Sequence, residues 1–110
     1  MINLYGIKNC NSVKKAMDFL VQKQLDFAFK DIKKIDNDIL NSWVKKRNLK
    51  EFINLSGMSA RKINLNKEML QTLSDEELFK LVLLNPSLIK RPVIEINNKI
   101  LIGKDYEKIE

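Results

Sequence analysis

The sequence predicts an α/β fold: a β-α-β start, a helical block, and a closing β-hairpin. Three observations carry this. Two short β-type runs near the N-terminus flank a segment whose apolar residues recur at helical spacing. The middle of the chain carries helix caps and helical spacing but little β signal. Near the C-terminus two apolar runs are separated by Asn97-Asn98, a pair that tolerates the positive φ of a tight hairpin turn. With 110 residues, the expectation is a single domain over 1–110 with a helical insertion at about 36–84.

Each element has a local reason. Residues 2–7 read as a first strand. Lys8-Asn9-Cys10-Asn11-Ser12 is polar, ends in helix-capping types, and is expected as a loop. Val13, Ala16, Met17, Leu20 and Val21 then mark an amphipathic helix to about Gln24. Phe27 and Phe29 alternate with polar or small neighbours, which predicts a second strand. Asp36 is an expected N-cap for a helix carrying Ile39, Leu40, Trp43 and Val44. Ser56-Gly57 signals a turn, and residues 67–73 a short helix. Ser74 and Glu77 have the spacing of a capping box, ahead of Leu78, Leu81 and Val82, and Asn85-Pro86 ends that helix. Strands are expected at 93–96 and 99–102. Gly103 stops the second, and Asp105 starts a short last helix. The first three elements suit a parallel strand pair with a crossover helix, and the last two an antiparallel hairpin on the same sheet.

Composition removes several function classes. The chain has no histidine and one cysteine, Cys10. That excludes a Cys-His or Ser-His pair within the chain, an imidazole metal site, a Cys-rich zinc site and an internal disulfide. No metal site is expected. No apolar run approaches the length of a membrane span, and residues 1–6 lack the features of a signal peptide, so a cytoplasmic chain with no membrane partner is expected. The net charge is +6, but only Arg47, Arg61 and Arg91 are arginines. Scattered lysines suit a solvated surface better than base readout, so nucleic acid is not the expected partner.

Cys10 is the first candidate for chemistry. It lies after a predicted strand, in a loop at the start of a predicted helix, where outward backbone N–H groups and the helix dipole favour an anion and so a thiolate. The plainer alternative is an inert buried cysteine. Asn9, Asn11 and Ser12 oppose deep burial, Ser12 has a hydroxyl to donate, and Lys8 and Lys14 add charge. Arg91-Pro92 is the second candidate: the guanidinium offers a planar fork for an oxyanion, and the proline peptide can be cis. The plainer alternative there is a rigid turn. Arg61, beside Lys62, is a third cation, for which surface solvation is the competing reading.

Taken together, Leu4-Tyr5-Gly6-Ile7-Lys8-Asn9-Cys10-Asn11-Ser12-Val13-Lys14-Lys15-Ala16, the stretch Asn85-Pro86-Ser87-Leu88-Ile89-Lys90-Arg91-Pro92-Val93-Ile94, and Lys99-Ile100-Leu101-Ile102-Gly103 resemble the bacterial arsenate reductase (ArsC)-like family. Asn54-Leu55-Ser56-Gly57-Met58-Ser59-Ala60-Arg61-Lys62-Ile63 is similar to its YffB-type branch; Spx-type regulators are also related. The resemblance implies a thioredoxin-like fold with a helical insertion. It implies Cys10 as nucleophile and Arg91 as oxyanion holder. Lys8, Asn11, Ser12, Lys14, Arg61 and Pro92, the last matching a cis-proline, are the expected anion- or thiol-binding residues. It implies an arsenate reductase-like thiol oxidoreductase with no bound cofactor. The partners would be a small oxyanion and an external thiol: glutathione as co-substrate, glutaredoxin or thioredoxin. The alternative is an Spx-like regulator that binds RNA polymerase without catalysis.

Departures bear on that choice. Ser56 and Gly103 align with two further arginines of the arsenate reductases. Val13 stands where Spx-type switches have a second cysteine, and Asn48 where they have a glycine.

Overall fold

The computed structural model describes residues 1–110, which divide into two compact units: residues 1–34 with 91–110, and residues 35–90. The first unit holds one four-stranded sheet. Its strands are β1 (Ile2–Gly6), β2 (Phe27–Asp31), β3 (Val93–Ile96) and β4 (Lys99–Ile102), in the order β2-β1-β3-β4. β1 pairs parallel to β2, with Ile2 opposite Phe27, and antiparallel to β3, with Tyr5 opposite Val93. β3 and β4 form the expected hairpin. Asn97 and Asn98 have φ of 49° and 63°, the left-handed pair that matches strand twist.

Helix α1 (Asn11–Gln22) makes the crossover from β1 to β2. It ends because Gln24 turns left-handed at φ 60°: the Leu25 N–H donates to the Leu20 carbonyl and the Gln24 N–H to the Val21 carbonyl, both at 2.9 Å. Its apolar stripe, Val13, Ala16 and Leu20, packs with Ile2, Leu4, Ile94 and Tyr106 into one buried cluster. The C-terminal 3-10 helix (Gly103–Lys108) supplies Tyr106, whose ring meets Phe19 edge-on at 5.2 Å between centroids. Asp105 accepts from the Ile102 N–H at 3.1 Å, so the helix expected at Asp105 is a 3-10 turn that begins at Gly103.

The second unit is helical: α2 (Asn37–Val44), α3 (Met58–Lys62), α4 (Lys67–Thr72) and α5 (Asp75–Leu84), with 3-10 turns at Leu49–Phe52 and Pro86–Leu88. The Asp36 carboxylate accepts from the Ile39 N–H at 2.9 Å, as its sequence position predicts. Asp36→Ala is therefore expected to cost about 1 kcal/mol in equilibrium denaturation. Ser74 and Glu77 close the expected capping box at 3.0 and 3.1 Å. The Ser74 amide, then its hydroxyl, hold the Glu77 carboxyl below its usual range, so the box weakens as pH falls through that value.

The insertion does not stop at 84. It runs from Ile35 to Lys90. Ile89 bridges to Ile53, the Asn54 N–H donates to the Leu88 carbonyl at 2.8 Å, and the Lys90 N–H donates to the Phe52 carbonyl at 2.7 Å. These non-local bonds tie 88–90 to the helical unit. Within it Trp43 and Phe52, both fully buried, stack with ring centroids 5.7 Å apart.

Candidate active site

The chain between β1 and α1 is a tight turn, with the Cys10 N–H donating to the Ile7 carbonyl at 3.2 Å. Cys10 is the N-cap of α1, and its carbonyl accepts from Lys14 at 3.0 Å. The helix thus begins at Asn11, two residues before the expected start at Val13. Asn11 and Ser12 form its first turn rather than a loop. Capping normally needs a side-chain oxygen at this position, and here the position is held by sulfur. The Cys10 side chain closes no capping hydrogen bond, yet its half-buried thiol is lowered by the first-turn amides.

The antiparallel pairing of β1 with β3 brings Arg91, just before β3, to the same end of the sheet. The Arg91–Pro92 peptide is cis. Pro92 is buried, and its carbonyl accepts from the Gly103 N–H at 2.9 Å. The Nε end of Arg91 is buried, and the side chain hydrogen-bonds the Cys10 thiol.

Burial is the largest influence on that thiol and pushes its pKa up. The Val13 amide, the Arg91 hydrogen bond, the Ser12 amide and the Arg91 charge together outweigh it. The net result is a thiol held below its ordinary value. A thiol lowered in this way, on a helix N-terminus beside a guanidinium, ionises more readily than a free cysteine, which suits it to attack an electrophile with an anion held beside it.

The other expected residues contribute unequally. Ser12 acts through its backbone N–H, and its hydroxyl makes no hydrogen bond to the thiol. Asn11, Lys8 and Lys14 are exposed, and neither lysine is among the charges acting on Cys10. Arg61 lies exposed on α3, in the helical unit. No group of three or more Cys, Asp or Glu is placed to hold a metal ion. One residue the sequence reading passed over is Gly6. It is buried at the end of β1, where an added Cβ would stand 2.6 Å from Val13 Cγ2. Its only sequence signal is a glycine inside a short β run ahead of the cysteine turn.

A family model described as the ArsC family matches residues 5–110, nearly the whole chain. The chain belongs to the ArsC family. Its solved structural neighbours include a protein named YFFB, 32% identical, with a TM-score of 0.83 and coverage of 97% of this chain and 94% of that one. A "possible arsenate reductase" from Streptococcus mutans is 32% identical, with a TM-score of 0.80 over 94% of this chain and 91% of that one. Among sequence relatives, "Global transcriptional regulator Spx 2" of Bacillus anthracis is 27% identical over 99% of this chain and 84% of its own length. The α/β sheet with its helical insertion is the thioredoxin-like fold of ArsC-family proteins.

Ser56, Gly103, Val13 and Asn48, the positions expected to depart from the arsenate reductase and Spx patterns, have these surroundings. Ser56 carries no charge and donates its hydroxyl to Asn54 at 2.9 Å. Gly103 sits at φ +61° with open space where a side chain would project. Val13 is fully buried core, so no second thiol faces Cys10. Asn48 caps a 3-10 turn by accepting from the Lys50 N–H at 3.0 Å. No helix is long and apolar enough to cross a membrane.

Proposed function

We propose that this protein is an arsenate reductase-like thiol oxidoreductase that works through the single thiolate of Cys10 and an external thiol. The observation that carries the proposal is the Arg91 side chain bonded to a thiol already lowered by the Ser12 and Val13 amides. Cys10 Sγ attacks the substrate, and Arg91 orients its negative charge.

With arsenate, Sγ displaces an oxygen as water and forms an S–As(V) bond. An external thiolate, such as that of glutathione, attacks Sγ. The S–As bond breaks with its electron pair passing to arsenic. Arsenite leaves, and Cys10 is left in a mixed disulfide. A second external thiolate, from glutathione, glutaredoxin or thioredoxin, attacks the outer sulfur and expels the Cys10 thiolate. Two thiols become one disulfide, and arsenic gains two electrons. With a disulfide as substrate, Sγ attacks one sulfur directly, the other leaves as a thiolate, and release follows the same last step. Only one guanidinium acts on Cys10, and Ser56 and Gly103 add no cation, so a less charged disulfide suits this site better than arsenate.

Similarity to an Spx regulator over 99% of the chain favours a second reading, a non-catalytic protein that binds RNA polymerase. One reagent separates the two. Alkylation of Cys10 is expected to abolish glutathione-dependent turnover of arsenate and of a small disulfide. Binding to purified RNA polymerase that survives alkylation, with no turnover before it, overturns the reductase proposal.

A further inference from the structure

Gly6 and Val13 meet at the junction of β1 and α1. An alanine Cβ at position 6 would stand 2.6 and 2.9 Å from the two Val13 methyl carbons and 3.3 Å from Val13 Cβ. Neither partner has room to yield. Gly6 is buried in a strand paired on both sides, opposite Asp31 in β2 and next to the Tyr5–Val93 pair with β3. Val13 is fully buried in the cluster with Leu4, Ala16 and Ile94. Gly6 has no positive φ, so the demand for glycine here is one of space. The contact also sits at the third residue of α1, whose N–H faces the Cys10 thiol, while the turn closed by the Cys10–Ile7 hydrogen bond ties Cys10 to β1.

We infer that Gly6 and Val13 form a spacer that sets how closely the N-terminus of α1 approaches the end of β1, and so where the Ser12 and Val13 amides meet Cys10 Sγ. This rests on the reading of Cys10 as the reactive thiolate. Gly6 is a positioning residue, acting through the helix start. A methyl at position 6 lifts the first turn of α1 off the strand and misaligns the amides, while Arg91, held on the β3 side, stays in place.

The test measures the pH dependence of Cys10 alkylation by iodoacetamide in the full-length protein, in Gly6→Ala, in Val13→Ala and in the double variant. Gly6→Ala is expected to raise the thiol pKa by about one pH unit, a loss of about tenfold in thiolate near neutral pH. Val13→Ala keeps its N–H and removes the two methyls alone, so it is the reference against which the double variant is read. In the double variant the two close methyl contacts are gone, and the Val13→Ala pKa is expected to return. A Gly6→Ala protein with the wild-type profile overturns the spacer, as does a double variant no better than Gly6→Ala. If Gly6→Ala fails to fold, the double variant decides: folding with the Val13→Ala pKa supports the spacer, and failing to fold overturns it. The wild-type profile reports separately on the reading beneath, because an ordinary thiol pKa there removes the reactive thiolate whatever Gly6 does.

Discussion

Cys10→Ser is expected to abolish turnover of either substrate, on the order of a thousandfold or more, without loss of the fold. The chain has no other thiol and no histidine to take over as nucleophile or base. A serine hydroxyl is far less acidic than a thiol, so the amides and the guanidinium that lower Cys10 cannot make it an alkoxide near neutral pH. Stability is expected to move the other way. Cys10 caps α1 without a capping hydrogen bond, whereas a serine oxygen at an N-cap is favoured. At pH below the folded thiol pKa the variant should match or exceed the wild type, by up to about 1 kcal/mol, and above it the lost thiolate contribution offsets that gain. Denaturation and turnover measured on the same preparation check both halves. An active Cys10→Ser protein contradicts the mechanism.

Arg91→Ala is expected to have the next largest effect. It removes both a hydrogen bond to Cys10 and the one charge acting on it, leaving burial opposed by only two amides. The thiol pKa then rises. In the wild type the folded pKa of the thiol lies below its ordinary value, so the thiolate persists below that ordinary value and disappears as pH falls through the folded pKa. Its contribution to folding stability has the same sign, present at high pH and lost as pH falls through the folded pKa. In Arg91→Ala the acid limb of the pH–rate profile moves to higher pH. At a fixed pH, turnover falls by about 10²- to 10³-fold, as expected when an aimed cationic donor is lost from a developing anion. Arg91→Lys keeps a charge without the fork and should fall between the two. An unchanged acid limb in Arg91→Ala would show that the guanidinium does not set the thiolate.

Much of this site is legible in the sequence because its signals are local. Asn97-Asn98 predicts the hairpin from φ preference alone, and Asp36 and Ser74 place their helices by capping chemistry. Cys10 between a strand and a helix is legible for the same reason. What is not legible comes from contacts between distant residues. Cys10 and Arg91 lie at opposite ends of the chain, so no local pattern pairs them: in the sequence the family resemblance alone does, and in the fold the β1–β3 pairing brings them to one end of the sheet. The helical unit extends to Lys90 because Ile89 and Lys90 bond to Ile53 and Phe52, partners that no local pattern reveals. The start of α1 was hidden by its cap. Asn11 and Ser12 look like capping residues, but sulfur holds that position, so both fall inside the helix. Gly6 reads as an ordinary strand-end glycine until its distance to Val13 is known.

The most direct test of the central claim is the pKa of Cys10 in the wild-type protein, read from its alkylation rate against pH with and without arsenate. A value well below the free-cysteine value of about 8.5, with alkylation slowed by the anion, is the predicted result. An ordinary or raised value with no protection would contradict it and leave a binding protein on an ArsC-family scaffold.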